Sequence, residues 1–183
     1  MADGLFYNDI REPFLTVPPT AVTLAATAKA LYPAANFPTL GGQYFARPGK
    51  KVKIRLFGII TTAATPGNGS FNVYYGTGAD ANGVALVTGT PVALTANQTN
   101  VTWVIELIVT CITTGSSGTL RCTGWAHFNE AVLAPMQMLP TTVGGVSAAC
   151  DLTAALILSV QFLRSGSTAE TMQTLEMEVT ALN

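Results

Sequence analysis

The sequence predicts an all-β protein: an antiparallel β-sandwich, of jelly-roll type, with an extended N-terminal arm. Three observations predict it. Stretches rich in Val, Ile, Thr and aromatic residues, several alternating apolar with polar, follow one another from residue 22 to residue 182. Turn-forming clusters such as "TPGNG", "GTGADANG" and "TTGSSG" separate them. The stretches fall into two groups of about four joined by longer connections, which favours two packed sheets. At 183 residues the chain suffices for one hydrophobic core, so the expected division is an arm over 1–20 and a single β-sandwich domain over 21–183.

The arm carries Phe6, Tyr7 and Phe14 among mixed charges and ends at Pro18 and Pro19, which favour an extended backbone and keep it from simply continuing into a strand. Aromatic residues on a tail are expected to dock, on the same chain, on a neighbouring subunit or on another protein. The stretch "VTLAATAKALYP" is β-compatible but Ala-rich, with room for one helical turn. Strands are then expected over 51–62, 70–75, 84–88, 91–95, 101–113, 119–128, 152–163 and 171–182.

Period-two alternation gives each strand two faces. Over 101–113, Trp103, Ile105, Leu107, Val109 and Cys111 share one face, and Val104, Glu106, Ile108, Thr110 and Ile112 the other. Both are mostly apolar, which predicts a central strand whose second face is covered by another layer or subunit. In the last strand Leu175, Met177, Val179 and Ala181 are expected to face in, and Thr174, Glu176, Glu178 and Thr180 out. The interruption at 130–150, "EAVLAPMQMLPTTVGGVSAAC", reads as an apolar loop with something to cover. Full burial of a Leu or Met side chain is worth about 1.5–3 kcal/mol.

Hydrophobic residues make up 49% of the chain and charged residues 10%, against roughly 25% charged in an average soluble protein. The exterior is therefore expected to be rich in Thr, Ser, Asn and Gln and nearly uncharged. With a formal net charge of -1, such a surface repels its neighbours weakly, which points to a homo-oligomer or a protein living on a larger assembly. The N-terminus lacks the cationic and apolar regions of a secretory signal, so synthesis in a cytoplasm is expected. The apolar run 152–163 is too short to span a bilayer as a helix, and no membrane partner is expected. Cys111, Cys122 and Cys150 read as buried free thiols, with a cross-strand Cys111–Cys122 bridge as the alternative.

No catalytic or metal pattern emerges. His127, next to Trp125 and Glu130, has no nucleophile at a recognised spacing. One His and scattered Cys lack zinc-ligand spacing, and Asp80 sits in a Gly-rich turn without the alternating oxygen ligands of a calcium loop. It reads as supporting its own turn. The glycine clusters lack the ending of a phosphate-binding loop. Glu106, Glu130 and Asp151 have no spacing that makes a carboxylate pair. No enzyme activity, metal or cofactor is expected. Lys51, Lys53 and Arg55 alternate on one strand face. They read either as a solvated face whose lysines discourage edge pairing, or as a patch that meets acidic residues, with Glu176 and Glu178 projecting from another strand. A nucleic-acid partner would require more cations and interleaved aromatic platforms and is not expected.

The order "ALYPAANFPTLGGQYFARPGKKVKIRLFGIITT", "GNGSFNVYYGT", "NQTNVTWVIELIVTCITTGSSGTLRCTG", "ALILSVQF" and "LEMEVTALN" resembles tailed-phage head decoration proteins, the cement or minor capsid proteins with jelly-roll folds. The resemblance is one of strand order and cadence, strongest over 41–124, and includes no catalytic signature. It implies a structural virion protein on the capsid exterior, made in the bacterial host cytoplasm, that binds the major capsid protein, assembles as a homotrimer and stabilises the shell. The interface residues it implies are Phe6, Tyr7 and Phe14 of the arm and the cations Lys51, Lys53 and Arg55; Met136 and Met138 are interface candidates by their apolar character alone, since the resemblance assigns no role to the loop that holds them. The alternative is a carbohydrate- or receptor-binding β-sandwich of a phage head or tail fibre, for which Trp125, Tyr74 and Tyr75 are the aromatic candidates.

Overall fold

The computed structural model describes residues 12–13, 18–37, 39–129, 136–140, 145–165 and 170–182. The strands, in chain order, are β1 (Glu12–Pro13), β2 (Val22–Thr23), β3 (Lys29–Ala30), β4 (Thr39–Leu40), β5 (Lys51–Thr61), β6 (Asn68–Gly76), β7 (Val84–Thr88), β8 (Val92–Ala93), β9 (Val101–Thr113), β10 (Thr119–Phe128), β11 (Gln137–Leu139), β12 (Leu156–Arg164) and β13 (Thr171–Leu182). A single 3₁₀ turn, Ala34–Asn36, is the only helical element among the described residues. The front sheet runs β1-β13-β5-β9-β10-β11 with β2 also on β13. The back sheet runs β3-β12-β6-β7, with β4 on β12 and β8 on β6. All pairings are antiparallel. The first long strand pairs with the last and the second with the last but one, consistent with a jelly-roll sandwich. The bounds expected for 84–88, 101–113, 119–128 and 171–182 coincide with β7, β9, β10 and β13.

Alternation fills the space between the sheets. Val52, Ile54, Leu56 and Ile60 of β5 and Trp103, Ile105, Leu107, Val109 and Cys111 of β9 face Phe71, Val73 and Tyr75 of β6 and Leu158, Val160 and Phe162 of β12, all of them buried. Phe71 stacks on Phe128 at 5.4 Å and meets Phe162 edge-on at 4.9 Å. Gly58 lets the Trp103 indole lie against β5: a Cβ there would come within 2.4 Å of the ring and 2.1 Å of the Gln173 carbonyl.

The segment 19–31 crosses from the front sheet to the back. Val22–Thr23 pairs with β13, Lys29–Ala30 with β12, and Gln173 Nε2 donates to the Pro19 carbonyl at 2.9 Å. Thr174 Oγ1 donates to the Leu31 carbonyl at 2.7 Å, and Arg164 Nη2 to the Leu24 carbonyl at 3.2 Å. Arg164 also makes a buried ion pair with Glu170 at 2.8 Å. Two charges leave water together here, the arrangement in which the loss of either partner is costly.

Several expectations are corrected. A bulge between Thr174 and Glu176 shifts the alternation of β13, so Thr174 is buried and Leu175 only half-buried, while Met177 and Val179 face in as expected. Lys51, Lys53 and Arg55 do not guard an edge, because β5 lies between β13 and β9. Of the two covers expected for the outer side of β9, another layer or another subunit, the first is not found among the described residues, and that side of the chain is half-exposed. The arm does contribute a strand, since Glu12 and Pro13 pair with Val179 and Glu178; Phe6, Tyr7 and Phe14 lie outside the described residues. In the 130–150 stretch Leu139 enters the core, but Met136 and Met138 are 53% and 58% exposed. The 91–95 strand shrinks to Val92–Ala93, and the 22–33 stretch divides into β2 and β3, with its 3₁₀ turn displaced to 34–36.

Candidate functional site

The register aligns the outward residues of the front sheet in rows across the strands. One row reads Leu182, Lys51, Thr110, Arg121, and the next Thr180, Lys53, Ile108, Thr123. A third reads Glu178, Arg55, Glu106, Trp125, Met138, and a fourth Glu176, Phe57, Val104, His127. The predicted cations Lys51, Lys53 and Arg55 therefore do share a face with Glu176 and Glu178. They also share it with Glu106, the closer partner: its Oε2 lies 2.9 Å from Lys53 Nζ and 3.8 Å from Arg55 Nε. The guanidinium of Arg55 stands 4.5 Å over the Phe57 ring, a cation–π contact between neighbouring rows. Pairs this exposed contribute about 0–1 kcal/mol each, so they add little to the stability of the fold.

The exposed large apolar residues among those described lie along one side of this sheet. Met138 sits opposite Trp125 on β11, Met136 immediately precedes that strand, and Val146 adjoins Ser147, whose N–H donates to the Leu120 carbonyl of β10. Gln137 Nε2 donates to the Thr90 carbonyl at 2.9 Å, which ties the same edge to the end of β7.

The back sheet differs. Ser70, Asn72, Ser159 and Gln161 point away from the core yet are buried. The loop after β6 covers Gln161, whose Oε1 accepts from Ala81 N–H at 2.7 Å while Nε2 donates to the Ala79 carbonyl at 3.0 Å. Asp80 in that loop does more than support its own turn. It pairs with Lys29 Nζ at 2.7 Å and accepts from Ala30 N–H at 2.8 Å. Partial burial works to raise the Asp80 pKa, but the hydrogen bonds from Lys29 and Ala30 outweigh it and hold the carboxyl below its usual range. A cleft of about 800 Å³ opens beside this pair, between residues 18–23, 29–36 and 78–80. Its two walls come from residues 18–36 and from a loop about fifty positions later, so no local sequence signal could have marked it, and its Lys29 and Asp80 charges neutralise each other.

All three cysteines are free and buried. Cys122 lies opposite Val109 and Cys111 opposite Leu120, so the Cys111–Cys122 alternative was offset by one inward position. Burial pushes the Cys122 thiol up to about 12 and raises those of Cys111 and Cys150, which keeps them protonated and poor nucleophiles at neutral pH. No group of three His, Cys, Asp or Glu among the described residues is placed to hold a metal ion. Glu106 is committed to the cations of the front face and Asp151 to Thr153, whose N–H and hydroxyl it accepts; Glu130 lies outside the described residues. No helix among the described residues is long and apolar enough to cross a membrane.

No family model matches the chain, and no curated protein matches it. A solved structure from Parabacteroides distasonis ATCC 8503, of a protein provisionally described as a glycosyl hydrolase, aligns over 93% of this chain and 94% of its own, with a TM-score of 0.33 and 12% identity. A likeness of that extent carries no conclusion about activity.

Proposed function

We propose that this chain is a structural binding protein of a phage head. It adds to the capsid exterior as a homo-oligomer, holds the major capsid protein through many contacts, and performs no reaction. The observation that carries this reading is the alignment of Met136, Met138 and Val146 along one edge of the front sheet, apolar surface left uncovered by the described residues on a chain with little charge to keep neighbours away. The N-terminal arm, whose residues Glu12 and Pro13 pair at the opposite edge of that sheet, is the second contact.

The test is co-sedimentation with empty heads of the phage that encodes the chain. The wild-type protein is expected to pellet at a fixed ratio to capsid subunits. The Met136→Ser, Met138→Ser, Val146→Ser variant is expected to bind about a hundredfold more weakly, since covering each half-exposed side chain is worth about 1 kcal/mol. Heads that leave the wild-type protein in the supernatant would overturn the reading. The glycan-binding alternative draws less support. Tyr75 is a core residue, and Trp125 and Tyr74 stand on the outward sides of different sheets, so they form no common stacking platform.

A further inference from the structure

We propose that the outer face of the front sheet pairs with the same face of a second copy of this chain, about a two-fold axis that lies in the interface and runs across the strands. The charges are sorted along the strands. Lys51, Arg121 and Lys53 occupy the first two rows, with no acid in either; Glu178, Glu106 and Glu176 occupy the last two, with Arg55 among them. Lys53 and Arg55 share the single carboxylate of Glu106. One end of the face is left with a surplus of cations and the other with a surplus of acids.

A half-turn about an axis across the strands lays the Lys51 row over the partner's Glu176 row, and the Lys53 row over the partner's Glu178 row. Each strand then lies over the same strand of the partner, so Lys51 and Lys53 meet the partner's Glu176, Glu178 and Glu106 from the neighbouring strands, about 4.8 Å to the side. These attractions outnumber the one like-charged approach, Lys53 over the partner's Arg55, and the set occurs twice by symmetry, as an isologous contact requires. The same rotation covers the half-exposed Ile108, Phe57, Val104 and Trp125. Four strands about 4.8 Å apart and four rows about 6.8 Å apart give roughly 500 Å² per copy, or about 1,000 Å² in the pair, the lower bound for a specific interface. The association is accordingly concentration-dependent and sensitive to salt. It does not depend on the capsid reading, because the experiment contains no capsid.

The test is sedimentation velocity of the full chain over a wide range of concentration, at low and high salt. The wild-type mass is expected to rise from one chain to two, with affinity falling about tenfold at high salt. Lys51→Glu with Lys53→Glu, and separately Glu176→Lys with Glu178→Lys, are each expected to weaken pairing about a hundredfold while the wild-type unfolding midpoint is kept. An equimolar mixture of the two variants is expected to pair again, because each end then finds its opposite. A mass that stays at one chain, a three-chain species, salt-insensitive pairing, or a mixture no better than either folded variant alone would overturn the proposal. The salt series on the wild-type chain reads the same charges should a variant fail to fold.

Discussion

On the front sheet the outward residues Lys53, Arg55, Glu106 and Ile108 remain half-exposed, whereas on the back sheet the outward Ser70, Asn72, Ser159 and Gln161 are almost wholly buried. The more ionic side chains are thus the wetter ones, and the neutral hydrogen-bonding ones are enclosed. Burial selects in this way because a neutral amide that finds all its partners costs little to enclose, while a charge costs several kcal/mol unless paired with excellent geometry. The back face is closed by the chain's own loop over 77–83, which supplies Gln161 with the Ala81 N–H and the Ala79 carbonyl. The front face keeps its long side chains in water. One sheet uses its polar groups in folding, and the other leaves them on the surface, where the proposed pairing of two copies would use them.

The contrast is broken most severely by Gln161→Ala. It removes the tie to the loop and deprives the part-buried Ala81 N–H and Ala79 carbonyl of their partner, so urea unfolding is expected to show a loss of about 1–3 kcal/mol. A loss below about 1 kcal/mol would mean that the loop does not close the back face. Asp80→Asn tests the rim of the same loop. The pair with Lys29 is a third or more exposed, so the expected cost is below about 1 kcal/mol at neutral pH. Its pH dependence gives the sharper reading. A carboxyl whose native pKa is lowered contributes stability above its unfolded pKa and loses that contribution as pH falls through the native value. The wild type and Asp80→Asn are therefore expected to converge in midpoint below about pH 4 and to differ by a constant amount from about pH 5 upward. The smallest effect is expected on the front face, where Lys53→Thr should change stability by no more than about 0.5 kcal/mol. A larger change there would make Lys53 a folding residue and erase the contrast.

Much of this architecture was legible in the residues. Where alternation runs unbroken, as in Trp103 to Cys111, it assigned the buried face of β9 and both ends of the strand. It failed at Thr174, because a bulge adds one residue whose only signature is the pairing with β5. The burial of Gln161 was not legible at all: its covering loop lies some eighty positions earlier in the chain, and nothing local distinguishes it from an ordinary solvated glutamine. For the candidate site, the alternation of Lys51, Lys53 and Arg55 placed them on one face, but their nearest acid, Glu106, comes from β9 through strand order rather than spacing. Met136 and Met138 were marked by type alone; that they line an edge follows from β11 joining β10.

The crossing segment at 19–31 has a mechanical consequence. Tension reaching residue 19 from the arm meets two anchors in series: β2 on the front sheet, backed by the Arg164 contact to Leu24, and then β3 on the back sheet, backed by the Thr174 contact to Leu31. A pull from that side is therefore resisted in two successive steps, first by one layer and then by the other.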